Sequence, residues 1–311
     1  MGVFVFLPLF LPLSAWPVAR LAELRLHPRT ATRLLTAVAT VMALCSTLSL
    51  TLLMVVGTAQ LPGNPLPDAW SDPEVRAAVP QDEIAGKAAI PALILVTALC
   101  LRTLWHHRRV ARRARRALAG LPVTSVVVLP DAARYAYALP GGRRDRVVVT
   151  ASLLAGLDSH ERRALFAHER AHLASRHHRH LLAVRLAASA NPFLGPLRTA
   201  VVYTAERWAD EEAARVVGSR RVVARAIGKA ALLSGGRGPE PALAGFAAVG
   251  PVPRRVAALL APAPAARSLP SVFTAVGLAA WGAAVGTLVS AMSSANSAVT
   301  MFLILHAATP F

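Results

Sequence analysis

Four long apolar runs leave this chain few ways to fold. They cover residues 3–19, 34–56, 88–105 and 269–292, and Arg102 is the one charged residue inside them. Runs of about 17–25 apolar residues match the thickness of a bilayer's hydrocarbon core, where a helix can satisfy its own backbone. The first run contains Pro8, Pro12 and Pro17 and has the length of a cleaved leader. However, no Lys or Arg precedes its apolar core, and Arg20 follows it. That is the reverse of the secretory charge order, so the run reads as a retained span with its N-terminus outside. Composition agrees, because 55 % hydrophobic residues and a net charge of +18 conflict in a soluble protein and fit a membrane one.

Arginine placement sets the orientation. The first loop carries Arg20, Arg25, Arg29 and Arg33; the second, 57–87, holds only Arg76 and Lys87 among prolines and acids. The third run is followed directly by His106–Arg116, with six arginines. Positive residues stay in the cytoplasm, which places the first loop and residues 106–268 inside and both termini outside. The predicted organisation is a membrane region (1–105, spans near 3–19, 34–56 and 88–105), a cytoplasmic domain (106–268), a fourth span (269–292) and a short extracytoplasmic tail (293–311). The basic run reads as a juxtamembrane anchor on anionic headgroups. No nucleic-acid motif accompanies it, so direct nucleic-acid binding is not expected. Cys45 and Cys100 both fall in spans and offer no disulfide framework. Gly282 and Gly286 form a small-xxx-small pair suited to close helix packing.

Between 121 and 150 the pattern changes to short Val- and Tyr-rich runs, 125–129, 135–139 and 146–150, separated by Pro130-Asp131 and Pro140-Gly141-Gly142. These predict a small antiparallel sheet. Its edge strand either holds an extended substrate or simply covers the next helix. That helix begins at Asp158, which with Glu161 fits a capping box. It carries His168-Glu169-Arg170-Ala171-His172. Residues four apart share a helix face, so two imidazoles can bind one metal ion, with Glu169 placed to take a proton from attacking water. Three fixed positions also arise by chance on a surface helix, so a third ligand decides the matter. Glu206 supplies one on a second helix that ends at Gly218, giving a two-His, one-carboxylate zinc site with an open position. Asp210, one turn on, is placed to receive the outer ring N–H of a zinc-bound histidine. Glu211 and Glu212 read as solvated helix carboxylates. Arg176-His177-His178-Arg179-His180 reads as a solvated basic helix end, because successive residues point around a helix. Asn191-Pro192-Phe193 breaks the chain between the two motif helices. Residues 219–234 read as a half-buried helix, 234–250 as a mobile loop, 252–260 as a short helix and 261–266 as a linker.

The combination of spans, short sheet, His168–His172 motif, Asn191-Pro192, Glu206-Arg207-Trp208-Ala209-Asp210 and a further span resembles the BlaR/MecR-type integral-membrane zinc metallopeptidases. It is similar, more distantly, to the HtpX/Ste-type membrane peptidases. The resemblance implies a helical membrane protein with a zincin-like domain and one Zn2+ held by His168, His172 and Glu206. It makes Glu169 the catalytic base and Asp210 the residue behind a ligand. About twenty residues follow Met292 and no Ser-x-x-Lys motif occurs, so the expectation is a peptidase module without the penicillin-binding sensor of the BlaR/MecR-type receptors. The family suggests a cytoplasmic transcriptional repressor as substrate; the HtpX-like alternative is clearance of misfolded membrane proteins. A zinc-binding scaffold without catalysis is a further class. So is a membrane anchor or transporter subunit with a chance motif, although the runs hold no acid or histidine that marks an ion pathway. Tyr203, Arg207 and Arg215 are the candidates for stabilising an oxyanion.

Overall fold

The computed structural model describes residues 5–63, 82–122, 124–141, 145–234, 251–264 and 275–308. The chain is mostly helical with one small sheet. The expected loop at 234–250 lies almost wholly outside the described residues, as does the first part of the fourth apolar run.

Among the described residues three helices are long and apolar enough to cross a membrane. They are α3 (Pro28–Ala59), most of α4 (Asp82–Ala117) and most of α11 (Ala275–Ala308). The last runs past the expected end at 292, so residues predicted as a tail continue the helix to Ala308. The first apolar run forms no single helix. It is divided into α1 (Leu7–Phe10), a 3-10 turn (Leu11–Ser14) and α2 (Ala15–Arg25). Proline explains the division, since Pro8 and Pro12 each open a new helical piece where their missing N–H costs nothing. The run nevertheless lies alongside α3 in the opposite direction. Val5 packs with Leu52, Leu53 and Val56, Ser46 donates to the Pro8 carbonyl, and Ala15–Leu26 packs on Ala31–Ala43.

Helices α3 and α4 approach most closely at two glycines. A Cβ on Gly57 would lie 2.2 Å from the Gly86 carbonyl, so neither position has room for a side chain. The predicted glycine pair in α11 is used differently: Gly282 has no atom within 4 Å of where its Cβ would be, and Gly286 meets only Leu11 at 3.9 Å.

The sheet is mixed rather than antiparallel. Strands β1 (Val126–Leu129), β2 (Ala136–Leu139) and β3 (Arg146–Thr150) follow the order β1-β3-β2. β2 pairs antiparallel with β3, and β1 pairs parallel on its other side. The reason lies in Val147–Thr150, a run without an exposed face. It is buried throughout, and only the central position covers a strand on both sides. On one side Val148 joins Ala114 of α4 and Leu118 just beyond its end; on the other Val149 joins the core of the motif helices.

The remaining helices follow: α5 (Ala151–Ala155), α6 (Ser159–Ala174), α7 (His177–Ala190), α8 (Gly195–Val217), α9 (Arg220–Ser234) and α10 (Val252–Leu260). Two cores result. One joins β3, α5, α6, α9, α10 and the C-terminal half of α8. The other joins α2 and α3 to α7 and the N-terminal half of α8, through Leu35 and Val38 against Val184, Leu194, Leu197 and Val201. Thr103 and Ser189 hydrogen-bond at 2.9 Å, which brings α7 against the long apolar helix α4 as well.

Candidate metal centre

The centre is built from four helices that meet end to side. The predicted capping box opens α6: Glu161 N–H donates to Asp158, and Asp158 N–H donates to Glu161. Glu161 also accepts from Arg225 and Lys229 of α9, which ties the start of the motif helix to its neighbour. From there α6 carries His168, Glu169 and His172 inward; all three are buried. Helix α8 runs beside it and presents Glu206 and Asp210, then stops at Gly218 with φ +78°, a conformation only glycine adopts without cost.

The two predicted motifs form one site. His168 Nε2 and His172 Nε2 lie 3.1 Å apart. Glu206 Oε2 lies 3.4 Å from the first and Oε1 3.3 Å from the second. A tetrahedral ion with bonds of about 2.0–2.1 Å has ligand–ligand edges of roughly 3.3–3.4 Å, so the three residues are already spaced for zinc. Glu206 is buried and faces both histidines. Asp210 Oδ1 sits 3.1 Å from His168 Nδ1, as expected for a carboxylate that fixes a ligand's tautomer.

Two residues of the site went unrecognised in the sequence. The first is Arg255 on α10, fully buried. Its Nε and Nη2 donate to Asp210 at 2.9 and 2.6 Å, and its Nη1 lies 3.1 Å from Glu206 Oε2. The available signal was an arginine on the apolar face of an amphipathic turn, four residues before buried Leu259. The second is His177, read as part of a solvated helix end. It is completely buried and its Nδ1 lies 2.8 Å from His172 Nδ1. No glycine or proline marks the break before it. Arg176 instead takes a left-handed conformation, φ +52°, and ends α6 early. His178 and His180, by contrast, stay partly exposed.

Charged groups crowd this pocket. Glu169, Glu206 and Asp210 are buried together with one buried guanidinium, Arg255; Arg207 is engaged by Glu211 at 2.8 Å. Burial opposes a proton on His168, but Asp210 and Glu206 outweigh burial and raise its pKa to about 9. Burial, with the His168 and Arg255 charges, keeps His172 neutral, well below the ordinary imidazole value. Arg255, against burial, holds the Asp210 carboxyl well below the usual range. A dication at the ligand atoms would replace the proton on His168.

The other predicted residues have structural occupations. Tyr203 lies under Arg254, whose guanidinium carbon is 4.0 Å from the ring centroid. Arg215 is exposed and paired with Glu212. Glu211 is no solvated carboxylate, since it accepts from Arg207 and Arg220 and is largely covered.

A family model described as peptidase family M48 matches residues 101–190, less than a third of the chain. The matched stretch runs from the second half of α4 through the sheet to α7. It contains His168, Glu169, His172 and His177 and stops before Glu206, Asp210 and Arg255. No curated protein and no solved structure matches the chain. The match supports a metallopeptidase, a hydrolase of a family that is typically zinc-dependent. With three helices of spanning length it points to a membrane-associated one. It lends no separate support to the BlaR/MecR-type likeness.

Proposed function

We propose that the chain is a membrane-embedded zinc metalloendopeptidase that hydrolyses peptide bonds at the cytoplasmic face. The observation that carries this is the meeting of His168, His172 and Glu206, all buried, with one ligand atom from each within 4.8 Å of the others. Bound there, zinc supplies a Lewis acid that polarises the scissile carbonyl and acidifies the attacking water. His168 and His172 give it neutral nitrogens and Glu206 a carboxylate oxygen. Glu169, beside the first ligand, takes the proton of the attacking water and delivers it to the leaving amine. Asp210 orients His168, and Arg255 fixes Asp210 and Glu206 together.

The cytoplasmic placement rests on the arginines. Arg29 and Arg33 stand at the start of α3, and the basic stretch of α4 follows its apolar part, so both lie on the side of the sheet and α6. A fourth crossing by residues 3–19, with both termini outside, is supported by Val5, Val56, Ala89 and Met301 sharing one apolar cluster. Regulatory proteolysis, for example of a transcriptional repressor as in BlaR/MecR-type signalling, is the role we favour; HtpX-like quality control and a catalytically silent zinc scaffold are the alternatives. Zinc analysis of the detergent-purified protein tests the centre. About one zinc per chain, lost in His172→Ala and Glu206→Ala, is expected; a folded protein without zinc overturns the reading. Protease protection of residues 106–268 in inside-out vesicles would reverse the topology.

A further inference from the structure

We propose that His177 is a positioning residue of the metal centre, holding His172 in the tautomer that turns a bare Nε2 toward the ion. The inference rests on the metallopeptidase reading and adds a residue to it. His172 Nε2 faces Glu206 and His168 Nε2, so it must carry no proton if it is to bind a cation. A neutral imidazole has one N–H, which then sits on Nδ1. That Nδ1 lies 2.8 Å from His177 Nδ1. Two N–H groups or two lone pairs cannot share this distance, so His172 donates and His177 accepts. His177 thereby keeps its own proton on Nε2.

The contact is built. Arg176, with φ +52°, takes a left-handed conformation that an ordinary side chain disfavours, and the next residue is thereby turned back under His172. His177 has no exposed surface. Its other neighbour is Trp208, edge-on at 4.6 Å between ring centroids. Trp208 is in turn covered by Arg29 and Arg33 of α3, at 5.6 and 5.3 Å. The two zinc-ligand histidines are thus supported unequally: His168 leans on a carboxylate, His172 on a neutral ring. Oriented partners behind a ligand typically change metal affinity by about 10–100-fold.

A mere packing role for His177 makes the opposite prediction from a hydrogen-bonding one, and two substitutions separate them. His177→Phe keeps an aromatic ring against Trp208 and removes the acceptor. His177→Asn loses the ring and places Oδ1 where Nδ1 was. Zinc affinity of the full-length protein in detergent, by competition with a chromogenic chelator, is the readout. The expected result is a loss of about 10–100-fold for His177→Phe and near wild-type affinity for His177→Asn. Wild-type affinity in His177→Phe, or weaker binding in His177→Asn than in His177→Phe, overturns the proposal. Nitrogen-15 histidine spectra of the zinc-loaded wild type check it without any substitution; a proton on His177 Nδ1 overturns it. Failure of the folded wild type to bind zinc is a different outcome, which removes the metallopeptidase reading and the proposal with it.

Discussion

Arg255→Ala puts the electrostatics of the centre to its hardest test. The guanidinium is fully buried and makes two bonds to Asp210 and one contact to Glu206, at 2.9, 2.6 and 3.1 Å. Removing one partner of a buried ion pair costs about 3–5 kcal/mol, because the other charge stays behind without compensation. Here two carboxylates stay behind. For a protein of this size, 1 kcal/mol moves the melting temperature by about 2–4 °C, so a fall of roughly 6–20 °C is expected. The measurement is thermal unfolding of metal-free, full-length protein in detergent, because a bound dication would replace the missing positive charge. Arg255→Lys should fall in between, since an ammonium keeps the charge and cannot bridge both oxygens of Asp210. Mild acid should narrow the gap between Arg255→Ala and wild type by putting protons on the stranded carboxylates. A metal-free Arg255→Ala that melts within about 3 °C of wild type would refute the reasoning, since the buried negative charge would then need no partner.

Glu169→Gln is expected to retain zinc and lose peptide hydrolysis by about 10²–10⁴-fold; undiminished cleavage in that variant assigns the base elsewhere. In the metal-free protein the His168 pKa of about 9 lies above the ordinary 6.5. Its contribution, roughly 3 kcal/mol, is therefore complete below pH 6.5 and lost as pH rises through 9. Denaturant unfolding against pH should show that decline, and Asp210→Asn should flatten it. The same proton must leave when zinc binds, so calorimetry near neutral pH in buffers of different ionisation heat should count about one proton released. Gly57→Val should separate α3 from α4, because its Cβ would lie 2.2 Å from the Gly86 backbone; a melting temperature equal to wild type would show that the two helices do not need their close approach.

How much could be read in advance followed from how local each determinant is. The capping box, the i, i+4 histidines and the Gly218 stop are encoded within a few residues, and they appear as expected. That Glu206 would reach the same point as the histidines rested on the pairing of two motifs, and the geometry brings them together. What escaped was set by distant packing. Arg255 became legible only once α10 was seen to lie across Asp210. His177 was hidden because a left-handed residue without glycine reads as continuing helix. The sheet misled for a related reason: sequential short strands suggest hairpins, whereas the wholly buried Val147–Thr150 required the middle position. Prolines at 8 and 12 were visible, but not that the broken run would still lie along the whole of α3.

Helix α8 belongs to two environments at once. Its first turns, with Leu197, Ala200 and Val201, are seated on α3, and its later turns carry Glu206 and Asp210. Thr204, two residues before Glu206, shares a hydrogen bond of 3.0 Å with Thr32 at the base of α3. Anyone excising residues 106–268 as a soluble enzyme would therefore cut through a single hydrophobic interior. The fragment would expose Val184, Leu194, Leu197 and Val201 to water, each costing about 1.5–3 kcal/mol, along with the aromatic support of Trp208. The membrane segment is then less an anchor for the peptidase than its missing wall, and the smallest active unit is expected to include residues 15–59.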